Sequence, residues 1–217
     1  MNWFSSHKEK RDQEVSHYLT LPFKPRSDQS LDDAKFCILD CEMTGTGRSS
    51  ELVTLGAVEL VNKRIKLNQV LDLRFNFSVD NESSEIHGEI RGVSYDNTRL
   101  LINKLLSFIG NSILVGHNVS MDVAKINQLL KNHLNGLRLK NKIVDTFYLI
   151  QRIDPTRMER SIGGSGCRLD DLCNEFEIPI ENRHTALGDA YLTAQVFMRE
   201  LEILKKRKVK TVGALLR

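Results

Sequence analysis

The sequence predicts an α/β domain built on a mixed five-stranded sheet with helices on both faces. Three observations predict it. Apolar strand patterns come first, at residues 34–43, 52–60 and 64–77. From about Thr98 the period changes, and helical stretches alternate with short apolar runs. The chain then closes on a long amphipathic helix in which Leu187, Ala190, Ala194, Phe197, Leu201 and Leu204 recur at steps of three and four.

The elements follow in order. AKFCILDCEM (34–43) is short, apolar and closed by the glycine turn Thr44–Gly47, as a buried strand is. LVTLGAVEL and RIKLNQVLDLRFNF flank Asn62-Lys63, so the domain opens with an antiparallel meander. RLLINKLLSFIG reads as a helix, SILVGHN (112–118) as a strand entering a turn, and VSMDVAKINQLLKNHL as a helix with Val123, Ile126 and Leu130 on one stripe. Asn118 or Ser120 is the expected N-cap of that helix. KIVDTF reads as the fifth strand and LDDLCNEF as a short helix. Parallel strands joined through helices, added to an antiparallel meander, give a mixed sheet.

The 217 residues suit one domain with an extension, and 41% hydrophobic residues provide a sizeable core. Residues 1–33 read as a polar N-terminal extension of one helix and a linker, with the globular domain over 34–217. The net charge of +3, from 27% charged residues, is too small for a dedicated duplex-binding module. Cys37, Cys41, Cys167 and Cys173 form no Cys-x-x-Cys pair and read as reduced thiols. There is no membrane span and no signal-peptide core, so a cytoplasmic location is expected.

Three Asp-x-Glu pairs occur: Asp12–Glu14, Asp40–Glu42 and Asp80–Glu82. Two sit in polar surroundings and read as solvated charges. Only Asp40–Glu42 ends an apolar strand, where residues i and i+2 share a face. Two adjacent carboxylates repel, and a hard divalent cation with oxygen ligands would hold them together. Asp122 falls in the first turn of a helix, where the helix dipole alone accounts for an acid. His184 and Asp189 are five residues apart, roughly 140° around an ideal helix. They converge only if His184 lies in the loop before the helix and Asp189 within it. A histidine on a loop is, by itself, an ordinary surface residue.

The order of these residues is more telling than any one of them. Asp40-Cys41-Glu42-Met43-Thr44-Gly45, His117-Asn118-Val119-Ser120-Met121-Asp122 and His184-Thr185-Ala186-Leu187-Gly188-Asp189 resemble the three motifs of the DEDDh 3′–5′ exonucleases, the DnaQ-like branch of the RNase H-like superfamily. The resemblance runs from about residue 34 to 204 and is nearest to stand-alone bacterial relatives of the polymerase III proofreading subunit. It implies metal binding by Asp40, Glu42, Asp122 and Asp189, and a general base at His184. It implies two divalent ions, Mg²⁺ or Mn²⁺. Backbone around Met43, Thr44 and Gly45 would hold the terminal nucleotide, with His117, Asn118 and Met121 also on the substrate side. Asp145 looks like the family's further acidic residue, one shell out from the metal. Ile86-His87-Gly88 resembles an Ile-His-Gly segment of the family. Met43 stands where proofreading enzymes often have Thr, and Met121 where many members have an aromatic residue; neither change removes a ligand.

The implied partner is a single-stranded nucleic acid, with DNA preferred to RNA. An RNA-trimming or oligoribonucleotide-degrading enzyme, a polymerase III proofreading subunit and a non-catalytic nucleic-acid-binding domain are the other readings. No Gln-Leu-x-Leu-Phe clamp peptide is visible before the terminal KTVGALLR. Lys8–Arg11 and Lys205–Lys208 are basic stretches that suit a phosphate backbone, although cations at a helix C-terminus also satisfy the dipole. Gly163–Gly166 lacks the Gly-Lys-Ser/Thr of a P-loop and reads as a flexible loop.

Overall fold

In the computed structural model, residues 13–45, 47, 49–75, 95–157 and 167–217 are described. Asp12, Asp80–Glu82, Ile86-His87-Gly88, the 163–166 glycine loop and the 8–11 basic stretch lie outside them. A sheet ordered β3-β2-β1-β4-β5 runs through the centre. Its strands are β1 (Phe36–Met43), β2 (Leu52–Val61), β3 (Arg64–Arg74), β4 (Ile113–Gly116) and β5 (Ile143–Asp145). β1, β2 and β3 are antiparallel, whereas β4 pairs parallel with both β1 and β5. The sheet is therefore mixed, as expected. Asn62 and Lys63 turn between β2 and β3 with φ of 52° and 62°, the left-handed pair that a tight hairpin of this hand requires.

Helices cover both faces. A helix over residues 13–20 (α1), α2 (Tyr95–Ile109) and α3 (Ser120–His133) lie on one side. Their apolar residues join Cys37, Leu39, Leu55 and Leu114 in one buried cluster. On the other side lie α4 (Thr146–Ile153), α5 (Leu169–Glu175), α6 (Ala186–Lys206) and the short α7 (Val212–Leu215). There Phe36, Ile38, Val58 and Val115 meet Leu172, Phe197 and Leu201. The alternation along β1 thus sends residues 36 and 38 to α6 and residues 37 and 39 to α2 and α3. Asp40 and Glu42 continue the α6-facing set.

The segment before Ala34 packs on this framework. Tyr18 is buried, and its hydroxyl donates to Asn141 Oδ1 at 2.6 Å. Leu31 is buried in the opposite cluster, and Ser30 bridges to Thr211. All four cysteines are free thiols. Among the described residues, no helix is long and apolar enough to cross a membrane.

Two local expectations are corrected. KIVDTF does not stay extended: β5 ends at Asp145, and Thr146 begins α4. The cause is Asp145 itself, whose carboxylate accepts from the Phe147 N–H and caps the helix. The N-cap of α3 is Val119, with no side-chain cap bond, rather than Asn118 or Ser120. The basic run 205–208 is partly committed within the fold: Lys205 pairs with Asp32, and Arg207 donates to the Ile153 carbonyl at 2.5 Å.

Candidate active site

The C-terminal ends of β1, β4 and β5 share one edge of the sheet, because the three strands run parallel. Gly116 pairs with Asp145 there, and Asp40 and Glu42 end β1. A register shift between Glu42 and Met43 interrupts the β1–β2 ladder at that end, as bulges beside active sites commonly do.

The remaining carboxylates arrive on helices. Asp122 and Asp189 occupy the first turns of α3 and α6 and are both buried. α6 comes this close because of Gly56, which faces Asp40 in the β1–β2 ladder. A Cβ at Gly56 would stand 2.2 Å from the Leu187 nitrogen, so only glycine admits the first turn of α6 here. Asp40, Glu42 and Asp189 consequently place carboxylate oxygens all within 4.8 Å of one another.

These charges perturb one another strongly. Burial, followed by the charges of Asp122, Asp189 and Glu42, pushes the Asp40 pKa up to about 9. Burial likewise raises Asp122 to about 7, opposed by hydrogen bonds from the Cys41 thiol and backbone. Glu42 and Asp189 are also raised by burial. Carboxylates crowded and desolvated in this way want a cation. Among the described residues, Asp189 Oδ1 is buried and makes no hydrogen bond of ordinary geometry, although the nearby His184 N–H also stabilises the carboxylate. Hard oxygen donors in this number fit a divalent ion such as Mg²⁺ or Mn²⁺.

His184 lies in the loop before α6, as the spacing required. It is exposed, with φ of 64°. Its charge is close enough to Glu42 and Asp189 to oppose the rise of both. The loop is clamped to the helix: the Thr185 hydroxyl donates to the Asn182 carbonyl at 2.7 Å and accepts from the Gly188 N–H at 3.1 Å. A Cβ on Gly188 would fall 2.1 Å from that carbonyl oxygen.

Asp145 stands back from this cluster. Its two oxygens accept from the N–H groups of Asn118 at 2.9 Å, Val119 at 3.0 Å and Phe147 at 3.0 Å. It thus fixes the turn that carries Asp122 into place, and burial raises its pKa against the pull of those bonds.

The residues expected on the substrate side divide. Thr44 and Gly45 are exposed, and Thr44 closes its turn by two bonds of 3.0 Å to Glu51, one from its N–H and one at its hydroxyl. Met43 is half-buried, Asn118 is exposed, and Met121 is 48% exposed. His117 is half-buried and already has partners within the fold. Its Nδ1 lies 2.8 Å from the Thr146 hydroxyl, its ring meets Phe147 edge-on, and its Nε2 is buried. Burial lowers its pKa to about 4.

Sequence reasoning missed Arg183, Asp170 and Cys41. Arg183 forms an ion pair with Asp189 and another, at 2.5 Å, with Asp170. No local pattern marks that pairing, since Asp170 is thirteen positions away. Gly56 did carry a signal, because a glycine inside a strand implies a close backbone approach.

Comparison with known proteins agrees with this geometry. The RNase T exonuclease family model matches residues 37–197. The chain is 32% identical over 193 residues to a DNA polymerase III subunit epsilon-like protein of Rhodobacter capsulatus, covering 86% of this chain and 26% of that one. It is 31% identical over 175 residues to the DNA polymerase III subunit epsilon of Buchnera aphidicola subsp. Baizongia pistaciae, covering 74% of this chain and 68% of that one. It spans about a quarter of the first relative and only 13% of a PolC-type DNA polymerase III from Thermotoga petrophila. Among solved structures, the nuclease domain of 3′hExo, a DEDDh family member bound to rAMP, aligns with a TM-score of 0.57 at 12% identity, covering 80% of this chain and 94% of that one. E. coli exonuclease I in complex with a dT13 oligonucleotide aligns with a TM-score of 0.58 at 14% identity, covering 81% and 42%. The fold and site define a metal-dependent nuclease of RNase H-like architecture. The chain belongs to the RNase T exonuclease family and is DnaQ-like, as its polymerase III epsilon relative is.

Proposed function

We propose that this chain removes nucleoside 5′-monophosphates from the 3′ ends of single-stranded DNA, using two divalent ions. The observation that carries this is the convergence of Asp40, Glu42 and Asp189, with Asp122 beside Asp40 and His184 at the mouth. Four carboxylates carry twice the charge of one divalent ion and would suit a pair of them. Mg²⁺ or Mn²⁺ bound there would supply positive charge for activating water and for the leaving 3′-oxygen. The protein's own part is positional. Asp40, Glu42, Asp122 and Asp189 would hold the ions, and His184 would accept the proton of the attacking water. Its exposed place on a loop lets it meet substrate from the solvent side.

Substrate contacts follow from the open edge. The exposed turn at Thr44-Gly45 suits a terminal nucleotide held by backbone groups. Met121 offers an apolar face, and Tyr148, 64% exposed in the first turn of α4, offers an aromatic one. Apolar and stacking contacts of this kind tolerate any base. The preference for DNA is supported by the polymerase III relatives, whose names place them with DNA synthesis.

The test is a parallel digestion of 5′-labelled single-stranded DNA, single-stranded RNA and oligoribonucleotides of two to five units. DNA should be shortened fastest. Faster loss of RNA, or of the short oligoribonucleotides alone, would replace this reading with an RNA-trimming or oligoribonucleotide-degrading one. A cytoplasmic site of action is part of the proposal, and fractionation of cells expressing the tagged chain would check it.

A further inference from the structure

We infer that Arg183 is a positioning residue that selects which oxygen of Asp189 faces the metal; this rests on the exonuclease reading of the site. Arg183 is three-quarters buried and spends its guanidinium on two carboxylates. Its Nε donates to Asp170 Oδ1 at 2.5 Å, and a terminal nitrogen donates to Asp189 Oδ2. Asp170 belongs to α5 and Asp189 to α6, so one planar side chain ties the two helices at the edge of the site. The fork of donors in a guanidinium makes such a double commitment directional.

The consequence falls on Asp189. With Oδ2 engaged, the carboxylate is not free to rotate and exchange its oxygens. Oδ1 remains, buried and, among the described residues, without a hydrogen bond of ordinary geometry, in a residue with a carboxylate oxygen within 4.8 Å of those of Asp40 and Glu42. Arg183 also immediately precedes His184, so the same anchor limits where the proposed base can go. A cation beside a metal site opposes metal binding through its charge and favours it by orienting the ligand. The sign of the change on removing Arg183 reports which effect prevails. Oxygens fixed by outer hydrogen bonds commonly gain about 10–100-fold in metal affinity, and the pre-formed cluster indicates that orientation prevails here.

The experiment is a Mn²⁺ titration of the 217-residue chain followed by electron paramagnetic resonance of free Mn²⁺. Arg183→Gln, Arg183→Lys, Asp170→Asn and Asp40→Asn are compared with wild type. Melting in EDTA by circular dichroism confirms that each variant is folded. Arg183→Gln should weaken Mn²⁺ binding by about 10–100-fold. Asp170→Asn should weaken it in the same direction, although Asp170 is not a proposed ligand. Arg183→Lys should fall between, because one nitrogen cannot serve both carboxylates along fixed directions. Unchanged or tighter binding in Arg183→Gln would overturn the inference; the tighter result would mean that the guanidinium competes with the ion. Should Arg183→Gln fail to fold, Asp170→Asn and Arg183→Lys decide by the same criterion. Failure of the underlying reading looks different: wild type would not bind Mn²⁺, or Asp40→Asn would bind it equally well.

Discussion

Asp145 shows how much one side chain can organise. Its carboxylate takes three backbone N–H groups, two from the turn before α3 and one from α4. Asp145→Ala would leave those donors in a half-buried setting without an acceptor. The expected cost is about 2–4 kcal/mol, from loss of a cap and of two further bonds. Urea unfolding monitored by circular dichroism would measure it, and Asp145→Asn, which retains an acceptor, should lose less. At this scale the sequence was informative where chemistry is local. The i, i+2 spacing of Asp40 and Glu42 places both on one face, and the five-residue interval from His184 to Asp189 requires a loop residue followed by a helical one. The pairing of Arg183 with Asp170 was illegible because it depends on how α5 and α6 meet. The inward turn of His117 toward Thr146 depends likewise on where α4 begins.

Among the elements, the placement of α6 is decisive, and Gly56 decides it. Gly56→Ala puts a methyl carbon 2.2 Å from backbone of α6, a contact that must be relieved by moving the helix or opening the ladder. A loss of about 1–3 kcal/mol is expected, as for overpacked interiors. Thermal melting would read the loss. Weaker Mn²⁺ binding should accompany it, because Asp189 rides on the displaced turn; a variant with unchanged melting and unchanged Mn²⁺ binding would remove Gly56 from this role. The periodic elements were legible, from the three opening strands to the long final helix, because each has an apolar face to bury. α4 was not, because Thr146 and Phe147 suit a strand, and only the cap at Asp145 turns them into a helix.

Across the whole molecule, the site is a store of buried charge that the fold tolerates in two ways, by protonation or by a metal. Asp40 near 9 and Asp122 near 7 keep their protons in the metal-free fold at pH values where the unfolded chain, at about 4, has lost them. The unfolded state therefore binds fewer protons, and the metal-free protein should lose stability as pH rises from about 4 to 9. Divalent metal should flatten that dependence, because the ion takes the place of the protons, and metal should bind more tightly at higher pH. Melting temperatures across this range, in EDTA and in excess Mn²⁺, would show two curves diverging with pH. Parallel curves would mean that the carboxylates do not hold the ion.

The most direct test of the central claim, that these carboxylates form a metal-dependent exonuclease centre, is the product pattern from a 5′-labelled single strand. With Mg²⁺ or Mn²⁺ the labelled strand should shorten one nucleotide at a time from its 3′ end, releasing nucleoside 5′-monophosphates. EDTA should stop the reaction, and neither Asp40→Ala nor His184→Ala should support it while both remain folded. Undiminished digestion by the Asp40→Ala protein, or cleavage at internal positions instead of the 3′ end, would contradict the account.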